Sequence, residues 1–219
     1  MIHTIKKLAV IALLAAVSSA AVAVEQIPVE DFFKRSPFTS FQLSPNGKYL
    51  AAVTPINERR NIAVIDLETR EARAITGMKE RDISGFSWAN DDRILFYMDT
   101  DGNESFGIFA VNRDGSGTRT LIQPAETQIE GGSFIVKTAS VINRLKDDPK
   151  HVLVSTPRFD NGMVIQDVKK MNIINGRLRT VELNPGNIAG YITNEAGDVI
   201  GAVAFDKGKR KVLYLSLIH

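Results

Sequence analysis

The chain has 219 residues, no cysteine, three histidines, and 27 basic against 25 acidic residues. A chain of this length can bury a hydrophobic core without disulfides, and the lack of cysteine together with the few histidines excludes the usual soft-metal sites. The near balance of charge provides no basic face for a phosphate backbone, so nucleic acid is not expected as a partner.

The first residues have the pattern of a secretory signal. Lys6 and Lys7 precede the apolar run Leu8–Val17, and the small residues Ala21–Ala23 form a cleavage site. The sequence therefore predicts a signal peptide over residues 1–23, a periplasmic or secreted protein, and no membrane attachment after cleavage. An uncleaved N-terminal anchor is the alternative. Removal of the segment leaves 25 basic and 25 acidic residues, so the mature chain is formally neutral.

Residues 24–37 form an N-terminal segment in which Glu30–Lys34 could make one short helix. From residue 38 onward, short apolar stretches alternate with turn signals, which is the all-β pattern. No later stretch has a clear helical period.

The β region is repetitive. Turn signals recur at Ser44–Gly47, Ala89–Asp92, Asp147–Pro149 and Asn194–Gly197, which gives a period of roughly 45–55 residues. Four strands per period of that size are typical of a β-propeller blade. The predicted fold class is therefore all-β, a partial β-propeller over residues 38–219 with about four four-stranded blades. A β-sandwich with coincidental spacing is the alternative. The predicted blades cover about 38–78, 79–125, 133–184 and 187–219.

Several segments resemble one family. Leu43–Ala51 resembles the blade signature of prolyl oligopeptidase and TolB-type propellers, and Asn61–Thr69 is similar to the matching third strand. Ile27–Phe33, followed by that blade, is similar to the mature start of bacterial exported acylaminoacyl-peptidase and dipeptidyl-aminopeptidase-like enzymes. The stretches Trp88–Arg93 and Asp101–Ser105 fit the second blade of the same group.

The resemblance implies a serine peptidase of the prolyl oligopeptidase family. In that family a propeller, commonly seven-bladed, covers a C-terminal α/β-hydrolase domain and restricts access to short peptides. The chain would then supply the substrate-gating propeller, with short peptides and a hydrolase domain in cis as partners, and no cofactor. The hydrolase domain is not in this sequence, and Leu215–His219 resembles a translated sequencing-adapter tail. A truncated propeller is therefore expected.

No catalytic residue is predicted within the chain. The nucleophile motif G-x-S-x-G does not occur, and the nearest strings are Gly85–Trp88 in a predicted strand and Gly115–Gly117 in a predicted hairpin turn. Of the histidines, His3 lies in the signal and His219 is the last residue. His151 is interpreted as a solvent-facing residue at a strand end, because the sequence places neither a nucleophile nor an orienting carboxylate beside it.

No metal-binding or cofactor-binding residue is predicted either. Asp99–Glu104 suggests calcium, but an EF-hand starting at Asp99 would need glycine and glutamate where Glu104 and Ala110 stand, so a polar hairpin is favoured. Gly131–Gly132 lacks the rest of a phosphate loop. Arg59–Arg60 is interpreted as part of a solvated loop between the second and third strands. The chain has no Glu-Glu pair of the kind that anchors substrate amino termini in dipeptidyl peptidases, which puts strict dipeptidyl activity in doubt.

Two other functional hypotheses stay open. One is a non-enzymatic TolB-like propeller that binds proteins of the periplasm, and the other is a small complete four-bladed propeller. The segment Ile27–Phe33 favours the peptidase.

Overall fold

The structure is a computed structural model that describes residues 28, 37–98, 106–128, 134–137, 139–160 and 163–214. The predicted signal peptide (1–23), the predicted short helix (30–34) and the segment 215–219 lie outside the described residues. The described residues from 37 to 214 belong to one compact unit. No described segment forms a helix with the length and apolar character needed to cross a bilayer.

The described residues form seventeen β-strands, whose order along the chain is also their order within each sheet. The strands are β1 Thr39–Leu43, β2 Tyr49–Ile56, β3 Arg59–Asp66, β4 Ala72–Ala74, β5 Gly85–Trp88, β6 Arg93–Met98, β7 Gly107–Asn112, β8 Arg119–Ile122, β9 Ala125–Gln128, β10 Phe134–Lys137, β11 Ser140–Asn143, β12 His151–Asp160, β13 Met163–Asn172, β14 Leu178–Glu182, β15 Ile188–Thr193, β16 Val199–Asp206 and β17 Lys209–Tyr214.

Four antiparallel sheets succeed one another along the chain. The first sheet is β1–β4, the second β5–β8, the third β11–β14 and the fourth, with three strands, β15–β17. Strands β9 and β10 pair with each other in a separate two-stranded antiparallel sheet, which lies between the second and third sheets in the sequence. Meandering sheets of four antiparallel strands are the blades of a propeller, so the all-β propeller class predicted from the repeats is confirmed.

The β2–β3 hairpin differs from the sequence expectation. Arg59 and Arg60 do not lie in a loop but begin β3, where Arg59 pairs with Ile56. The reason is a two-residue turn at Asn57 and Glu58, whose φ angles are 53° and 63°. Two successive residues with positive φ form the type of turn whose twist matches that of the flanking strands, so the ladder continues to the hairpin tip.

The sheets stack through alternate residues of their strands. In β6, Ile94 and Phe96 pack against the first sheet, whereas Leu95, between them in sequence, packs against the third. Because successive strand residues point to opposite faces, a strand buried on both sides must be apolar at nearly every position. The core between the first and second sheets contains Ala51, Val53, Ile62, Val64, Ile75, Ile83, Phe86, Trp88, Ile94, Phe96, Met98 and Val111.

The next two interfaces follow the same rule. The interface between the second and third sheets is lined by Ala89, Leu95, Ile108, Ala110, Leu121, Ala139, Val152, Val154, Met171 and Ile173. The interface between the third and fourth sheets is lined by Leu145, Leu153, Val168 and Val199. The described residues therefore contain three successive sheet–sheet cores of decreasing size.

Hydrogen bonds between sheets fix their relative positions. Trp88 Nε1 donates to the carbonyl oxygen of Gln42 at 3.1 Å, and Gln42 Nε2 donates to the carbonyl oxygen of Phe86 at 2.8 Å. The buried Arg93 donates from Nε to the carbonyl oxygen of Ile173 at 2.7 Å, which ties the second sheet to the third. A charged donor that satisfies a carbonyl inside a core is a directional contact, so it sets the register between the sheets.

One face of the fourth sheet has no sheet against it among the described residues. Val212 pairs with Val203, and Tyr214 pairs with Gly201, so their side chains share this face with Phe205. The exposed fractions are 54% for Phe205, 72% for Val212 and 83% for Tyr214. We call the face defined by Val203, Phe205, Val212 and Tyr214 the open face.

Candidate functional site

One end of the stack is built from the turns that join the first and second strands of each sheet. These turns are residues 44–48, 89–92, 144–150 and 194–198. Backbone hydrogen bonds close them internally, for example from Gly47 N to the carbonyl oxygen of Ser44 at 2.9 Å. We call this end the turn end.

Neighbouring turns are joined by hydrogen bonds of side chains. The donor and acceptor pairs are Asn46 N to Asp91 Oδ1 at 2.8 Å, Asn90 Nδ2 to Pro149 O at 2.8 Å, and Asn143 Nδ2 to Asn194 O at 2.9 Å. Each bond links one sheet to the next, so the four turns form a continuous series. Because each of these hydrogen bonds holds one turn against its neighbour through a short side chain, the turns have little freedom to move apart.

A cavity of about 650 Å³ opens at the turn end. Buried Ala89 and Leu145 and the partly buried Tyr97 and Val141 form much of its apolar lining. The charged residues that line it are Asp91, Arg144, Lys146, Asp148 and Glu195. The lining therefore mixes apolar and charged groups, and the volume falls within the range of sites for small ligands.

Tyr97 joins the second and third sheets inside this cavity. Its hydroxyl oxygen accepts a hydrogen bond from the backbone N–H of Val141 at 3.4 Å. Burial raises the pKa of Tyr97 above its ordinary value, and the hydrogen bond from Val141 only partly opposes that shift. The phenol is therefore neutral at physiological pH and contributes a polar, uncharged surface to the cavity.

An ionic cluster borders the same cavity. Asp148 accepts from Lys170 Nζ at 2.6 Å and contacts His151 Nδ1 at 2.9 Å. Burial acts to raise the pKa of Asp148, but the hydrogen bonds from Lys170 and His151 outweigh it and hold that pKa well below its usual range. Asp148 is consequently ionised and bound to both Lys170 and His151. It therefore anchors the 144–150 turn to β12 and β13.

His151 begins β12, at a strand end as the sequence indicated, but its side chain is only 32% exposed and is held by Asp148. The orienting carboxylate that sequence reasoning could not place is therefore present. The spacing of three residues between Asp148 and His151 was the feature of the sequence that could have indicated this contact. The other ring nitrogen, Nε2, lies 3.4 Å from Asn172 Nδ2. Among the described residues no hydroxyl group is a hydrogen-bond partner of this imidazole, so a nucleophile–base pair is not formed here.

The serines considered from the sequence lie elsewhere. Ser87 lies in β5, and Ser116 lies in the turn between β7 and β8, where its Oγ donates to Asp114 Oδ1 at 2.6 Å. Asp99–Glu104 and Gly131–Gly132 lie outside the described residues. Within the described part of the chain no group of three or more His, Cys, Asp or Glu side chains could hold a metal ion.

Arg59 and Arg60 are also placed away from the cavity. The backbone N–H of Arg60 donates to Asp82 Oδ1 at 2.7 Å, and Arg59 Nη1 lies 4.0 Å from Asp82 Oδ2. The residues that sequence reasoning missed are Arg144 and Lys146 at the cavity. Their position in the repeat could have indicated them. They follow the first strand of the third repeat, and polar turn residues follow the first strand of each of the other repeats.

Comparison with known proteins agrees with this architecture. No protein-family model matches the chain. Dipeptidyl aminopeptidase BIII of Pseudoxanthomonas mexicana is 28% identical over 172 residues, which cover 78% of this chain and 23% of that protein. The resemblance to the prolyl oligopeptidase family is confirmed. The chain spans about a quarter of the length of this curated relative.

Two solved structures have a similar fold. The β-propeller domain of the Trilobed protease from Pyrococcus furiosus superposes with a TM-score of 0.53 and 16% identity, covering 80% of this chain and 54% of that one. Pyrococcus horikoshii acylaminoacyl peptidase superposes with a TM-score of 0.50 and 15% identity, covering 81% of this chain and 30% of that one. At these identities the likeness establishes the propeller fold.

Proposed function

We propose that this chain is part of the propeller of an exported serine peptidase of the prolyl oligopeptidase type that acts on short peptides. Catalysis would come from an α/β-hydrolase domain of the same protein outside residues 1–219. The observation that carries the proposal is the 28% identity to dipeptidyl aminopeptidase BIII over 172 residues. That similarity runs through the repeated sheets rather than through a single blade motif.

The surroundings of His151 support a catalytic site elsewhere. It is the only histidine among the described residues, and its ring contacts Asp148 and Asn172. A serine hydrolase needs a hydroxyl within hydrogen-bond reach of the base. In the described residues the Asp148–His151 pair instead anchors a turn, so the chemistry is assigned to another part of the protein.

The turn end supports a gating role. A cavity of about 650 Å³ has room for a short peptide, since pockets of roughly 300–1,000 Å³ hold small ligands. The hydrogen bonds between successive turns keep the surrounding residues in fixed positions. A rigid opening of this size would admit short peptides and exclude folded proteins.

The open face supports the presence of further blades in the protein. The corresponding faces of the first three sheets are each buried by the following sheet. Phe205, Val212 and Tyr214 present apolar surface of the same kind without a cover among the described residues. Because apolar surface gains roughly 25 cal/mol per Å² on burial, a further sheet would be stabilised by packing there.

Export is supported by the sequence of residues 1–23, with its Lys6-Lys7 pair, apolar run and small-residue site. The absence of cysteine is compatible with this compartment, since the stacked cores can stabilise the sheets without disulfides. Short peptides in the periplasm or outside the cell are then the proposed substrates.

The test uses the product of the complete reading frame that encodes this chain. Purified product should hydrolyse the chromogenic substrate Ala-Ala-p-nitroanilide or N-acetyl-Ala-p-nitroanilide, whereas residues 24–219 alone should hydrolyse neither. The two substrates separate dipeptidyl-aminopeptidase from acylaminoacyl-peptidase activity. A complete product that hydrolyses neither substrate and does not react with a fluorophosphonate would contradict the proposal and favour a binding propeller.

A further inference from the structure

The charged residues of the turn-end cavity fall into two groups. Asp91 accepts a hydrogen bond from Asn46 N, and Asp148 is engaged by Lys170 and His151. The remaining charged side chains have no ion pair or hydrogen bond with another described residue. They are Arg144, Lys146 and Glu195. The groups without any partner are thus two cations and one carboxylate, and Asp91, which accepts only a backbone N–H, also keeps its negative charge unpaired among the described residues.

The two cations belong to one turn. Arg144 and Lys146 are two residues apart in the segment 144–150, whose backbone is fixed by the N–H of Asp148 donating to the carbonyl oxygen of Leu145 at 2.8 Å. The turn is tied further to Asn143, whose Oδ1 accepts from Leu145 N at 2.7 Å. A pair of cations on a fixed turn matches a carboxylate, which a guanidinium can bind through two parallel hydrogen bonds.

We infer that Arg144 and Lys146 bind the terminal carboxylate of a short peptide held in the turn-end cavity. This inference rests on the proposed function, in which short peptides enter at this end. Beside the cations, Tyr97, Val141 and Leu145 offer apolar surface for a side chain of the peptide. Glu195, on the neighbouring 194–198 turn, adds a negative charge. A short peptide with both ends free carries one carboxylate and one ammonium group. It therefore fits the charges of the cavity better than a ligand that carries negative charge only.

The inference predicts a specific loss of affinity. The tripeptide Ala-Phe-Ala with a free carboxylate should bind the complete product about tenfold more tightly than the same tripeptide as its C-terminal amide, because the amide lacks the charge that the cations pair with. Isothermal titration calorimetry measures both dissociation constants. Prior inactivation with a fluorophosphonate keeps the peptides from being consumed.

The variant R144Q/K146Q makes the test residue-specific. It should weaken binding of the free acid about tenfold and leave binding of the amide unchanged. Both side chains are exposed and lack partners among the described residues, so the fold should be preserved, which the unfolding temperature checks. Arg179→Gln, an exposed arginine on β14, is the matched control and should bind both peptides like the natural protein.

Equal affinity of the free acid and the amide in the natural protein would overturn the inference and leave the proposed peptide binding intact. The same holds if R144Q/K146Q binds the free acid as tightly as the control does. If neither peptide binds, both the inference and the proposed use of the turn-end cavity are contradicted.

Discussion

The core between the first and second sheets and the open face of the fourth sheet contain the same kinds of residue in opposite situations. Phe96 is completely buried and stacks on Phe109 with 5.5 Å between ring centroids, whereas Phe205 is 54% exposed. Both lie on strands in which apolar side chains recur on one face. The difference comes from the neighbouring sheet, so a blade of this protein is stabilised chiefly by what packs against it.

The largest effect is expected inside that core. Phe96→Ala should lower the free energy of unfolding by about 3–5 kcal/mol, because it removes a buried aromatic ring and leaves a cavity between two sheets. Denaturant unfolding followed by tryptophan fluorescence measures this, since Trp88 lies in the same core. A loss below about 1 kcal/mol would mean that the first and second sheets are not held together through this core.

A smaller effect is expected at the ionic cluster. Asp148→Asn should lower the free energy of unfolding near pH 7 by about 1 kcal/mol, because the partly exposed carboxylate is lost from its ion pair with Lys170 and its hydrogen bond with His151. The pKa of Asp148 is depressed below the value near 3.8 of an unfolded chain. Its contribution is therefore complete above about pH 4 and is lost as the pH falls further.

Denaturant unfolding of the natural protein and Asp148→Asn at pH 7, 5, 4 and 3 measures this dependence. The difference in free energy of unfolding between the two proteins should narrow below pH 4, where the carboxyl of Asp148 in the unfolded chain becomes protonated. A gap that does not narrow between pH 4 and pH 3 would show that Asp148 is not stabilised in its ionised form.

The smallest effect is expected on the open face. In residues 24–219, Phe205→Ala should change the free energy of unfolding by less than about 0.5 kcal/mol, because an exposed ring loses little on truncation. In the complete product, a covering sheet should raise the cost of the same substitution towards that of Phe96→Ala. Equal, small costs in both proteins would indicate that nothing packs on this face.

The blades could be predicted because each carries its own pattern. Apolar residues at nearly every position of β6 and β7, and turn residues at Ser44–Gly47 and Ala89–Asp92, recur at a regular spacing. The β2–β3 hairpin was less readable. Arg59–Arg60 was interpreted as part of a loop, because the turn uses two non-glycine residues with positive φ, which composition does not reveal.

The candidate site was largely hidden from the sequence because four repeats build it together. Asp148 and His151 are three residues apart, but Lys170 joins them only through the β12–β13 register, in which Leu153 pairs with Lys170. Arg144 and Lys146 gain their role from a cavity that residues of all four sheets or their turns surround. These residues are brought together by the stacking of the sheets, which no local sequence pattern encodes.

Labelling of the complete product with a fluorophosphonate, followed by peptide mapping in a mass spectrometer, tests whether the catalytic serine lies outside the described sheets. We expect a single labelled serine outside residues 37–214, in a hydrolase domain. A label on Ser87, Ser116 or another serine within residues 37–214 would contradict the assignment of these sheets to a non-catalytic propeller. The absence of any label would contradict the assignment of the protein to a serine peptidase.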